Sequence, residues 1–173
     1  MTRLLAAGLL ALLHGAAAAA PPAAGEPAPP FRLQDQAGEW HALADYRGSW
    51  VALYFYPRDD TPGCTTQACA FRDDIFEFRK RGIRIVGISL DDSASHARFA
   101  EKHSLPFTLL ADTEHEAAEA YGVLGSFGMV KVAKRQSFLI DPDGRIAVHY
   151  AEVDANTNSQ QMLADADRLI ATD

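Results

Sequence analysis

The sequence predicts an α/β domain built on a central sheet of mixed strand direction with helices flanking it. Three observations predict this. Continuous apolar runs of strand length alternate along the chain with segments of helical periodicity. The runs SWVALYFYP and GIRIVGISLD carry almost no polar alternation, as strands covered on both faces do. Near the end, QSFLIDPDGRIAVHY reads as two strands joined by Asp-Pro-Asp-Gly, a turn that reverses the chain and so adds antiparallel pairing.

In chain order, FRLQDQAGEWHAL alternates around a turn at Gln36 to Gly38 and predicts a short hairpin. SWVALYFYP predicts a buried central strand ended by Pro57. A helix follows, with Thr61 placed as N-cap and Pro62 at the first helical position. Cys64, Ala68, Phe71, Ile75 and Phe78 then recur at spacings of four, three, four and three, one apolar stripe that predicts a single helix ended by Gly82. GIRIVGISLD is a second buried strand, SASHARFAEKHS a helix closed before Leu105-Pro106, FTLLAD a third strand, and EHEAAEAYGV a short helix stopped near Gly122. NSQQMLADADRLIA closes the chain as an amphipathic helix.

The 173 residues suffice for one domain with a substantial core. Residues 31–173 read as that domain, with no internal repeat. Residues 1–24 read as a secretory signal peptide: Arg3 supplies the charge, Leu4 to Leu13 the apolar run, and an alanine-rich tail the small-residue cleavage options. Residues 25–30 fall in a Pro/Ala-rich stretch, Pro21 to Pro30, expected to be a flexible or extended linker. Periplasmic or secreted localisation is therefore expected, without membrane attachment after cleavage. The formal net charge of -7 argues against nucleic acid as a partner, because that binding needs a positive field to release counterions. The six histidines are scattered, with no dense His/Cys cluster of the kind zinc requires, and the chain has no phosphate loop and no GxGxxG. No metal and no organic cofactor is expected.

The chemistry lies in the two cysteines, Cys64 and Cys69. Cys64 falls in the first turn of its predicted helix, where unpaired N–H groups and the positive end of the macrodipole favour an anion, and the thiolate is the nucleophilic form. Five residues on a helix make one full turn and ~140° more and rise ~7.5 Å, which puts the two Cα atoms ~8–9 Å apart. A disulfide tolerates about 7 Å at most. The two thiols can join only if the turn between them unwinds. Spacing alone leaves a redox pair and a structural staple both open, since an oxidising compartment favours pairing.

PRDDTPGCTTQAC resembles the active-site segment of the peroxiredoxins, whose pattern P-x-x-x-T-x-x-C is supplied here by Pro57, Thr61 and Cys64. The longer YFYP-x-x-x-TPGCT-x-x-x-C is similar to the subgroup known as bacterioferritin comigratory protein or peroxiredoxin Q. The resemblance continues through GISLDDSASHARFAEKHSLPFTLLAD, YGV and RQSFLIDPDGRI, and spans residues 31 to about 170. It implies a thioredoxin-like fold and thiol-dependent reduction of hydrogen peroxide and organic hydroperoxides. It implies Cys64 as the peroxidatic thiol and Cys69 as the resolving one. It gives Thr61 the role of orienting the peroxide, and Arg135 that of stabilising the thiolate and polarising the O–O bond. Pro57 and Gly63 become pocket residues, Gly63 through its backbone N–H. It also implies an external thioredoxin-like dithiol as reductant, and a monomer. Two positions depart from the subgroup: Gln67 stands where an acidic residue is usual, and Ser137 where threonine is common. The alternatives are a thiol–disulfide oxidoreductase acting on protein disulfides, or a thioredoxin-fold binding module with a permanent Cys64–Cys69 staple.

Overall fold

The computed structural model describes residues 20–171. The leader expected at the N-terminus lies, for residues 1–19, outside the described residues. The elements are β1 (Arg32–Asp35), β2 (Trp40–Ala42), a 3-10 turn (Leu43–Tyr46), β3 (Trp50–Phe55), α1 (Pro62–Asp73), α2 (Ile75–Lys80), β4 (Ile83–Ser89), α3 (Ser93–His103) and β5 (Thr108–Ala111). They continue with α4 (Glu116–Ala120), β6 (Leu124–Phe127), β7 (Val130–Ala133), β8 (Gln136–Ile140), β9 (Ile146–Tyr150) and α5 (Asn158–Ile170). Seven strands form one sheet in the order β2-β1-β5-β4-β3-β8-β9. β3, β4 and β5 run parallel, and every other pairing in that sheet is antiparallel. The mixed sheet is the one the sequence predicts. The β6–β7 hairpin was not expected from it.

Alternation along β3 divides the core. Val51, Leu53 and Phe55 face a layer with Tyr121, Phe138 and Ile140. Ala52 and Tyr54, with Tyr56 just past the strand end, face the other layer, where α1, α3 and α5 supply Cys64, Ala68, Phe71, Phe99 and Met162. Tyr54 lies across β4 at Gly87, where a Cβ atom would come within 2.7 Å of its ring. Phe71 stacks on Tyr54 at 4.8 Å between ring centroids, which fixes the middle of α1 over the end of β3. The helix carrying both cysteines is thus docked by the stripe that predicted it.

That stripe also predicted a single helix to Gly82, and here the structure differs. The chain leaves helical geometry at Asp74 (φ −89°, ψ 4°) and restarts as α2. The Asp74 carboxylate accepts from Ser159 Oγ and Gln160 Nε2 of α5, each at 2.7 Å. These bonds tie the break to the C-terminal helix, so periodicity in residues 64–78 alone does not reveal it. The Pro/Ala-rich segment turns at Ala24–Gly25 and then docks on the domain: Pro27 pairs with Arg145, and Ala28 donates to the Gly144 carbonyl at 2.9 Å.

The loop from Pro57 to Thr61 connects β3 to α1 and is held from below by Asp59. Read from sequence, Asp59 is an ordinary loop acid; in the structure it is buried. Its carboxylate accepts from Tyr56 Oη (2.8 Å) and Ser95 Oγ (2.8 Å), and His96 Nδ1 lies 2.9 Å away. Burial works against that charge, yet the His96 contact, with Ser95 and Tyr56, outweighs it and holds the carboxyl below its ordinary value. A depressed carboxylate stabilises the fold above its unfolded value, about 4, and that contribution is lost as pH falls through the folded value. Asp59→Asn is therefore expected to cost about 1–3 kcal/mol at neutral pH. Thermal unfolding of variant and parent should converge in acid; a gap that stays constant across pH would contradict the assignment.

Candidate active site

Cys64 occupies the third position of α1 and is 1% exposed. Thr61 stands at the N-cap with extended backbone (φ −81°, ψ 148°), but its side chain makes no capping bond. Its hydroxyl instead donates to the Arg58 carbonyl at 3.0 Å, closing the loop on itself and leaving its oxygen lone pairs to accept. The first-turn N–H groups of Gly63 and Cys64 have no acceptor within the helix, and without a capping bond from Thr61 they remain available as donors.

Arg135 reaches the sulfur from the neighbouring strand. β8 pairs antiparallel with β3 through Phe55–Gln136, so Arg135, one residue before β8, arrives where α1 begins. Its Nη2 donates to Cys64 Sγ at 3.2 Å and its Nη1 to Gln67 Oε1 at 2.5 Å. The guanidinium is planar, so fixing one nitrogen on Gln67 aims the other at sulfur. Gly63 makes room for this: a Cβ there would sit 3.2 Å from Arg135 Nη2. A cation and the positive end of a twelve-residue helix thus converge on one thiol.

Cys69 lies in the same unbroken helix and is half-buried; both thiols are free. The ~8–9 Å Cα separation of two helical positions five apart therefore applies, and joining them requires the first turns of α1 to open. Beyond Cys69, Arg72 pairs with Asp73 and donates Nη1 to the His103 carbonyl at 2.8 Å. The Asp73 hydrogen bond, with the adjacent Cys69, holds the Arg72 guanidinium above its ordinary ionisation range. Tyr54 lies beneath the site with its hydroxyl buried, and burial pushes its ionisation well above the usual phenol value. It is a neutral wall, not a base.

The structure thus brings Cys64, Gly63 and Arg135 into contact, places Thr61 and the half-buried Pro57 in the adjoining loop, and sets Cys69 one and a half turns away. Sequence reasoning noted Gln67 and Ser137 only as departures from the subgroup, did not place them behind Arg135, and gave Asn158 no role. Gln67 is fully buried, and so are Asn158 and Ser137. A polar residue inside the apolar face of α1 was the available signal for the first of them.

Residues 24–149 match the model of the AhpC/TSA family. Peroxiredoxin Bcp of Escherichia coli is 47% identical over 127 residues, which is 71% of this chain and 81% of that protein. Peroxiredoxin Bcp of Bacillus subtilis is 44% identical over 133 residues, 75% of this chain and 85% of that one. Among solved structures, peroxidoxin BcpB from Mycobacterium tuberculosis superposes with a TM-score of 0.79 at 32% identity, covering 84% of this chain and 97% of its own. Peroxiredoxin Q of Xanthomonas campestris gives a TM-score of 0.76 at 31% identity, covering 80% and 90% respectively.

Proposed function

We propose that this chain, which belongs to the AhpC/TSA family and stands there with the peroxiredoxins Bcp and Q, is a thiol-dependent peroxidase that works through Cys64 and Cys69. The observation that carries the assignment of roles is the Arg135–Cys64 contact of 3.2 Å at the first turn of a helix that also holds a second free thiol.

The steps follow from the geometry. The Cys64 thiolate attacks the terminal oxygen of ROOH; the S–O bond forms, the O–O bond breaks, and RO⁻ leaves and is protonated to ROH. Sulfur is oxidised by two electrons to the sulfenic acid. The Arg135 guanidinium and the N–H groups of Gly63 and Cys64 lie where negative charge spreads across the breaking bond, and Thr61 accepts from the peroxide hydrogen. α1 then opens, the Cys69 thiolate attacks the Cys64 sulfur, and hydroxide leaves as water while the disulfide forms. An external dithiol of the thioredoxin type reduces it by exchange. Both thiols belong to one helix of one chain, which supports action as a monomer.

Burial of Cys64 supports a substrate whose reacting end is very small. Two surface grooves, about 320 Å³ beside Tyr46 and Phe107 and about 550 Å³ beside Trp40 and Asp112, include neither cysteine nor Arg135 in their walls. Hydrogen peroxide needs neither, and an organic hydroperoxide needs to insert only its terminal oxygens. The same burial disfavours a protein disulfide as substrate. With dithiothreitol as reductant the protein should accelerate the loss of hydrogen peroxide and leave insulin reduction at the rate of dithiothreitol alone; accelerated insulin reduction without accelerated peroxide loss would reverse the assignment.

The charged, then apolar, then alanine-rich start supports export, and with it an exported dithiol as reductant. Protein expressed from the full sequence should be recovered outside the cytoplasm with its N-terminus beginning after Ala18, Ala19 or Ala24. Retention of Met1 on cytoplasmic protein would contradict this.

A further inference from the structure

We infer that Asn158, the first residue of α5, is a positioning residue for the peroxide step, acting through Gln67 to hold Arg135 against Cys64. The inference rests on the peroxidase reading above and extends it to a residue 94 positions from the thiol. Behind the guanidinium runs a buried chain of hydrogen bonds. Arg135 Nη1 donates to Gln67 Oε1 (2.5 Å), and Gln67 Nε2 donates to Asn158 Oδ1 (2.9 Å). Ser137 Oγ donates to the same Asn158 oxygen (2.9 Å). Gln67, Asn158 and Ser137 are each buried to within 1% of complete, so water does not substitute for any of these partners.

The direction of this chain is forced. An amide side chain turned by half a revolution fills the same space but exchanges donor for acceptor. If Gln67 turned, its NH₂ would face a guanidinium that has only donors, and Arg135 would be driven off the sulfur. Asn158 prevents that turn, because its oxygen accepts from the Gln67 nitrogen. Holding this orientation has a visible cost: Asn158 Nδ2 is buried with no hydrogen-bond partner. A buried donor left unpaired in a native fold calls for an explanation, and a fixed acceptor on Gln67 supplies one. Because Gln67 is neutral, it orients Arg135 without placing a second anion on it, which leaves Cys64 as the negative group facing the guanidinium. When α1 opens for disulfide formation, Gln67 leaves its place between Arg135 and Asn158, so the arrangement serves the first chemical step only.

The test is a double-mutant cycle in a Cys69→Ser background, where one thiol reports. Two rates are read on pre-reduced protein: the first turnover with hydrogen peroxide and alkylation of Cys64 by iodoacetamide. Asn158→Leu should slow both by about tenfold, the loss expected of one buried hydrogen bond acting on a reacting group. Arg135→Met should slow the peroxide step by about 10²–10³, and adding Asn158→Leu to it should change little further. Ser159→Ala removes the neighbouring bond from α5 to Asp74 without touching Gln67, and should leave both rates unchanged. Should Asn158→Leu fail to fold, Asn158→Ala carries the same expectations. Unchanged rates in the Asn158 variants would overturn the inference. So would an equal loss with and without Arg135, or a loss in Ser159→Ala that matches the Asn158 variants. If the Cys69→Ser parent fails to consume peroxide, the peroxidase reading falls instead, and the alkylation rates still decide whether Asn158 acts on Cys64 through Arg135.

Discussion

Cys64→Ser is expected to reduce peroxide consumption to the rate of buffer and dithiol alone. The substitution is small in volume, and a serine hydroxyl still accepts from Arg135 where Cys64 Sγ now does at 3.2 Å, so the fold and the guanidinium should stay in place. What is lost is the nucleophile. A serine hydroxyl is not ionised by a single cation and a helix N-terminus, and oxygen attacking a peroxide has no route to a stable oxidised product. No neighbouring group substitutes for it: Cys69 faces elsewhere on α1, and the Tyr54 hydroxyl is kept neutral by burial. Peroxide loss followed over time, with circular dichroism to show an unchanged fold, checks the expectation. Turnover that persists in the variant would move the chemistry away from Cys64.

Cys69→Ser separates the two halves of the cycle. Its first turnover should match the parent, because Cys69 takes no part in the Arg135–Cys64–Gln67 arrangement. Continued turnover with a thioredoxin-type reductant should stop after one equivalent, since the sulfenic acid on Cys64 has no intramolecular partner and lies at a site 1% exposed. A sulfenic-acid-selective dione should then label Cys64, and excess peroxide should carry it on to the sulfinic acid. Equal loss in the first turnover would show that Cys69 shapes the site as well as resolving it. Undiminished recycling would show that the disulfide with Cys69 is not on the path.

How much of this was legible in the sequence follows the range of the interactions. The strands were, because burial on both faces forces continuous apolar runs and β3 and β4 have them. Cys64 was, because its place in a first helical turn carries meaning by itself. Arg135 was legible only through the segment RQSFLID that resembles a known family; its own position next to Lys134 carries no signal. The helix break at Asp74 was hidden, because the apolar stripe runs through it and the residues that hold it, Ser159 and Gln160, lie in α5. The Gln67–Asn158 bond was hidden for the same reason, spanning 91 residues. Asp59 and His96 read as scattered polar residues and prove to be a buried pair beneath the Pro57–Thr61 loop. Local patterning records which face is buried; it does not record which buried polar groups meet.

One peroxide is expected to consume the two thiols of one helix. Mature, pre-reduced protein should be mixed with one equivalent of hydrogen peroxide, with peroxide, free thiols and peptide masses followed together. The expected result is loss of the peroxide and of both thiols, with a single peptide carrying an internal Cys64–Cys69 disulfide. Peroxide that persists beside two intact thiols, or a disulfide that joins two chains, would contradict it.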